Sequence, residues 1–118
     1  MHEFGIANSI IDAVSVEVAR IDNGARVVKV AVKIGDLSGV DAEALRFSFN
    51  AIVADTDLAP LELEIERLPH RRRCGDCSNE FDVDTTVFDA ACPVCGNVYT
   101  EFLAGYELDI DYLELEEL

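Results

Sequence analysis

Between residues 4 and 22, apolar side chains recur at Ala7, Ile10, Ile11, Val14, Val18 and Ile21, while Asn8, Asp12, Ser15 and Glu17 fall on the opposite side. Steps of three and four residues predict an amphipathic helix. The stretch Val14 to Val18 also alternates with period two, which is the strand pattern. Length favours the helix, and Asn23-Gly24 supplies its stop. Residues 25 to 34 then alternate: Val28, Val30, Val32 and Ile34 share one face and Lys29 and Lys33 mark the other, which predicts a strand. Gly35 to Val40 read as a loop, and Asp41 stands as N-cap of a second helix carrying Leu45, Phe49 and Ile52. That helix closes in Asp55-Thr56-Asp57. Leu61, Leu63 and Ile65 alternate with Glu62, Glu64 and Glu66 in a second strand, which Pro69 breaks. Beyond Gly105, Tyr106, Leu108, Ile110 and Tyr112 alternate with Glu107, Asp109 and Asp111. The phase flips at Leu113 and Leu115, as at a bulge or a strand's end.

The order is helix, strand, helix, strand, a cysteine-bearing module and a last strand. The last strand is apolar on one face and needs a sheet to join; the nearest is that of the N-terminal part. The expected fold is therefore α+β, with two helices packed on a small three-stranded sheet and a zinc-ribbon module inserted. Residues 1–69 and 105–118 would form one discontinuous domain, and residues 70–104 the module.

That module carries the strongest chemical signal. Cys74 and Cys77 form one CxxC pair and Cys92 and Cys95 another, with 14 residues between them and no cysteine left over. Two such knuckles place four thiolates at the corners of a tetrahedron, the closed first shell of structural zinc. No position is left for water or substrate, so a structural role follows. Gly75 and Gly96 are expected to let each knuckle turn so that backbone amides point at sulfur. Asp76, Glu80, Asp82 and Asp84 read as solvated surface. Cys92-Pro93-Val94-Cys95-Gly96 also resembles the second knuckle of rubredoxin, an iron-bearing electron carrier. The first knuckle lacks the matching glycine, because Ser78 follows Cys77. The module also lacks rubredoxin's aromatic cluster, although the same thiolates accept either metal.

Composition narrows the partners. The chain has 118 residues, half of them hydrophobic, which is enough for one core. Nine Lys and Arg stand against 24 Asp and Glu, for a formal charge of −15. Phosphate binders gain affinity through Lys and Arg, so nucleic acid is not expected. Arg71, Arg72 and Arg73 are the only support for a zinc-ribbon adaptor on nucleic acid or transcription proteins, and a solvated joint or a partner for nearby acids is the plainer reading. No stretch has the apolar length of a membrane helix and the start lacks a secretory pattern, so a cytoplasmic protein without membrane insertion is expected. Disulfides fit that compartment poorly.

The opening Met1-His2-Glu3 carries the functional clue. A terminal histidine is ordinarily a loose end. Here a bulky second residue should protect Met1 from removal, leaving a free amine beside His2. That amine, the His2 amide nitrogen and the His2 imidazole can close adjacent chelate rings, and Glu3 adds an amide and a carboxylate. An all-nitrogen planar set suits Ni(II) or Cu(II) rather than zinc.

These residues carry a family resemblance. Met1-His2-Glu3 opening an amphipathic helix resembles the start of the HypA-type hydrogenase nickel-incorporation proteins (the HypA/HybF family). So do Ile34-Gly35-Asp36-Leu37-Ser38 before Asp41, the run Arg46-Phe47-Ser48-Phe49, the paired knuckles, and the ending Gly105, Glu107-Leu108 and Ile110 before Leu113-Glu114. The likeness covers nearly the whole chain in order. It implies a nickel metallochaperone with a transferable Ni(II) at His2 and Glu3, separate from structural Zn(II) at the four cysteines. Asp41 matches an acidic position beside the family's nickel site. The implied partners are a GTPase of hydrogenase maturation and the large subunit of a [NiFe]-hydrogenase, with urease maturation as a further client. The face near Asn8, Asp12 and Ser15 flanks the nickel ligand and is the expected GTPase contact. One departure stands out. Many relatives carry histidines beside the zinc cysteines, whereas here Ser78 and Gly96 follow the knuckles and His70 lies four residues before Cys74. His70 therefore reads as a linker residue.

Overall fold

A computed structural model describes residues 2–21, 24–84 and 90–117. Asn23 and the helix stop assigned to it, like Met1, lie outside the described residues. Chain contacts divide the molecule into two compact units. One comprises residues 1–33, 40–66 and 109–118, the other residues 34–39 and 67–108.

In the first unit, α1 spans Glu3–Arg20 and buries Ala7, Ile10, Ile11 and Val14. α2 spans Ala42–Val53 and buries Leu45, Phe49 and Val53. Both sets follow the three-four spacing that defines one helix face. The Asp41 side chain caps α2, its Oδ1 accepting from the Glu43 and Ala44 amides at 3.0 and 3.2 Å. The two helices pack on each other. Their apolar stripes join Val30, Val32, Leu61 and Leu63 in the core, where Phe49, Leu45 and Val30 are wholly buried. Truncating a side chain such as Phe49 to alanine would cost about 3–5 kcal/mol. Arg46 ties α2 to the sheet by donating to the Leu63 carbonyl at 2.6 Å.

The sheet holds β1 (Arg26–Gly35), β2 (Glu62–Leu68) and β6 (Leu108–Glu116) in the order β2-β1-β6. The final strand thus joins the N-terminal sheet, and β1 sits at the centre. Lys29 pairs with Glu64, and further on the Asp36 amide donates to the Leu68 carbonyl, so contacts advance together along β1 and β2 and the two run parallel. Contacts from β1 to β6 run the other way: Arg26 with Glu116, Lys29 with Glu114, Lys33 with Asp111. β6 is therefore antiparallel. The Tyr112 hydroxyl donates to Glu64 at 2.7 Å.

The second unit contains β3 (His70–Cys74), β4 (Glu80–Val83) and β5 (Thr100–Ala104), in the order β4-β3-β5 with both pairings antiparallel. The arginines, read as a solvated joint or as partners for nearby acids, form the body of β3, and Arg71 and Arg73 do pair with acids. Arg71 bonds Asp82 at 2.6 Å, Arg73 reaches Glu80 and Glu101, and Arg72 donates to the Thr100 hydroxyl and carbonyl. His70 opens the strand and stacks on Phe102 with ring centres 5.9 Å apart. The loop after β1 receives the chain on both sides of the module. Asp36 N–H donates to Leu68 O, Leu37 N–H to Gly105 O and Gly35 N–H to Glu107 O. A Cβ on Gly35 would collide with the Gly105 carbonyl, which is why a glycine is needed there.

Candidate metal centres

The two knuckles share one construction. Each reads Cys-x-x-Cys-x-Asn, as Cys74 to Asn79 and as Cys92 to Asn97. In each, the first cysteine's amide donates to the asparagine carbonyl at 2.9 Å, and the residue after the second cysteine donates back to the first cysteine's carbonyl. That residue must enter the left-handed region. It does so as Gly96 with φ +77 in one knuckle and as Ser78 with φ +62 in the other. Ser78 thus takes the conformation that the missing glycine would have taken. Gly75 serves differently from the expectation. Its own backbone is not left-handed; its amide meets the Tyr99 carbonyl at 3.0 Å, and an added Cβ would lie 3.0 Å from that oxygen.

These turns bring four sulfurs together, all within 4.8 Å of one another. Cys74 and Cys95 are 3.4 Å apart, and Cys77 and Cys92 3.7 Å. Sulfurs on a tetrahedral zinc would sit about 3.8 Å apart, given Zn–S bonds of about 2.3 Å. Amides point at the inner sulfurs: Asp76 and Cys77 at Cys74, Val94 at Cys92. Cys74 and Cys92 are buried, Cys77 and Cys95 exposed. The Cys95 amide, helped by Val94, draws the Cys92 thiol down to about 6. The Cys77 and Asp76 amides lower Cys74 in the same way. At Cys95 the Asn97 amide favours the thiolate, but the neighbouring Cys74 sulfur and burial outweigh it and push the thiol up to about 12. Four thiolates this close cannot all ionise unaided; a divalent cation held by them would resolve the repulsion. The tetrad fits a zinc ribbon. His70 is not part of it. Asn79 and Asn97 went unread in the sequence, although the shared Cys-x-x-Cys-x-Asn spacing was visible.

The second candidate site lies at the start of α1, in the other unit. His2 is the N-cap residue, with an imidazole that makes no capping hydrogen bond, and it is exposed. The first intrahelical bond runs from the Ile6 amide to the His2 carbonyl. The amide of Glu3 precedes that bond and is free of the helix ladder. Glu3 Oε2 accepts the Asp41 amide at 3.1 Å, which holds the carboxyl below the ordinary glutamate value. Glu3 and Asp41, 38 positions apart, therefore meet at the adjoining ends of α1 and α2. Asp41 meets Glu3 through its backbone, while its carboxylate is spent on the cap. Met1 is not described.

Comparison with known proteins identifies the family. The family profile described as "Hydrogenase/urease nickel incorporation, metallochaperone, hypA" matches residues 1–115. The hydrogenase maturation factor HypA of Geobacter metallireducens is 40% identical over 116 residues, covering 98% of this chain and all of the relative. That of Chlorobium luteolum is 38% identical over 117 residues, covering 99% and 97%. The fold resembles the solution structure of the Ni metallochaperone HypA from Helicobacter pylori, with a TM-score of 0.60 at 24% identity over the full length of both chains. A second HypA solution structure gives 0.66 at 21% identity, covering 98% of this chain and 97% of that one. The profile spans both candidate sites, whereas the rubredoxin likeness rests on one knuckle. The chain belongs to the HypA family of hydrogenase/urease nickel-incorporation metallochaperones.

Proposed function

We propose that this protein carries one transferable Ni(II) at its N-terminus and delivers it during maturation of a [NiFe]-hydrogenase, with a separate structural Zn(II) on Cys74, Cys77, Cys92 and Cys95. The observation that carries the reading is the clasp between Glu3 and Asp41. It fixes the start of α1 against the α2 cap and leaves the His2 imidazole uncommitted. His2 would give its imidazole and amide nitrogen, Glu3 its amide, and Met1 its terminal amine. None of these amides belongs to the helix ladder, so nickel can enter and leave without unwinding α1. A cargo site gains from that, because it must release what it binds. Asp41 supports the site by holding Glu3.

The hydrogenase large subunit and a GTPase are the proposed partners, with urease maturation as a second client and a cytoplasmic setting. The polar face of α1 at Asn8, Asp12 and Ser15 is exposed on the helix that His2 opens and is available to the GTPase. The protein then acts by transfer, and no enzyme activity is proposed.

The test is metal analysis of protein with a native, untagged N-terminus, titrated with nickel beside His2→Ala. One zinc and one nickel are expected per chain, with nickel lost and zinc and helical signal kept in the variant. Stoichiometric nickel retained by His2→Ala would sink the proposal.

A further inference from the structure

β6 is nine residues long and pairs with β1 on one edge; among the described residues no strand pairs with its other edge. Exposed edges are ordinarily kept short because they recruit other chains. This one is long, and its apolar residues are uncovered. Ile110 is 41% exposed and Leu115 48%. Between helix and strand runs an open groove of about 390 Å³, lined by Ala13, Val14 and Glu17 of α1 and by the β6 run from Ile110 to Leu113.

The charge of the strand selects what could lie there. From Asp109 to Glu116 it carries four acids and no Lys or Arg. Three of the acids meet cations of β1, but at 3.2 to 3.8 Å and on exposed side chains, so their charge stays largely available. A second copy of this chain would lay apolar beside apolar only by laying acid beside acid, whatever the register, and the chain's net charge of −15 adds to the repulsion. Acids along an edge can simply guard against self-pairing. That guard excludes the second copy, yet it does not require an apolar stripe left open on the other face.

We propose that the outer edge of β6 is a docking site for an extended protein segment that alternates basic and apolar residues, taken up as an additional strand of the sheet. The main chain of the segment would extend the ladder, its apolar side chains would cover Ile110, Leu113 and Leu115, and its cations would face the acids. Nickel plays no part in this surface, and the proposal stands apart from the N-terminal site.

The experiment titrates isotope-labelled, zinc-loaded full chain with an octapeptide of alternating lysine and valine, following backbone amide shifts and hydrogen exchange. The expected result is shifts and slowed exchange confined to Asp109–Glu116 and the α1 residues lining the groove. Reversing two charges together (Asp109→Lys and Glu116→Lys) should weaken binding by about tenfold, while an unchanged helical signal shows the variant folded. His2→Ala should bind the peptide as the parent does. Absence of β6 shifts at saturating peptide would overturn the proposal. So would an equal response to a glutamate-valine octapeptide, or to a peptide with four lysines followed by four valines, since the first removes the charge argument and the second the alternation. A concentration-dependent dimer that protects β6 would assign the edge to a second copy instead.

Discussion

Asp41 serves α2 with its carboxylate and Glu3 with its amide. Removing the cap by Asp41→Ala should cost about 1 kcal/mol. Asp41→Asn caps as well as aspartate and leaves the amide in place. Thermal unfolding should therefore show a lowered midpoint for the alanine variant alone, with nickel affinity of the asparagine variant within about twofold of the parent. An asparagine variant that is stable but has lost nickel would make the carboxylate a ligand. Glu3 adds a pH dependence. Its folded value is depressed, so its contribution is present above the ordinary glutamate value and fades as acid carries the protein down through the lowered one. Ser78 is the other residue whose conformation makes a prediction. At φ +62 a β-branched side chain is worse than serine by about 1 kcal/mol or more. With zinc held on the four cysteines as proposed, Ser78→Val should surrender it to a competing chelator at roughly fivefold lower chelator concentration, and Ser78→Gly should not. Equal retention by both would mean that the turn is not strained.

At the scale of elements, the sheet depends on the turn that follows β1. The Gly35 amide and its lack of a side chain let the Gly105–Glu107 segment pass against it. Gly35→Ala forces backbone apart and should cost about 1–3 kcal/mol in thermal or denaturant unfolding. An unchanged midpoint would show that the approach is looser than described. How much of this was legible divides along the same lines. α1, β1, α2 and β2 were readable because each is half-buried and its apolar period matches its geometry. The Asp41 cap was readable from residue type and place. β3 was not, because His70 to Arg73 carry no apolar alternation. That strand forms through Arg71 and Arg73 pairing with Glu80, Asp82 and Glu101, partners whose register no local pattern announces. The clasp of Glu3 on Asp41 was hidden for a like reason, since a contact across 38 positions leaves no periodic trace. β6 was legible as a strand, but its exposure was not: alternation predicts an apolar face without saying that something in the same chain covers it.

Over the whole molecule, the two candidate metal sites use different chemistry in different compact units. The cysteine tetrad lies wholly within residues 67–108, and His2, Glu3 and Asp41 belong to the other unit. One offers soft thiolates in a closed tetrahedron, the other nitrogen donors at an exposed chain start. That division would let a structural ion stay while a cargo ion moves. Among the described residues no helix is long and apolar enough to cross a membrane. The most direct test is X-ray absorption at both metal edges on untagged protein carrying one zinc and one nickel. The account predicts four sulfurs at about 2.3 Å around zinc and only nitrogen and oxygen donors around nickel. A sulfur shell around nickel would place the cargo on the cysteines and contradict the separation of the two sites.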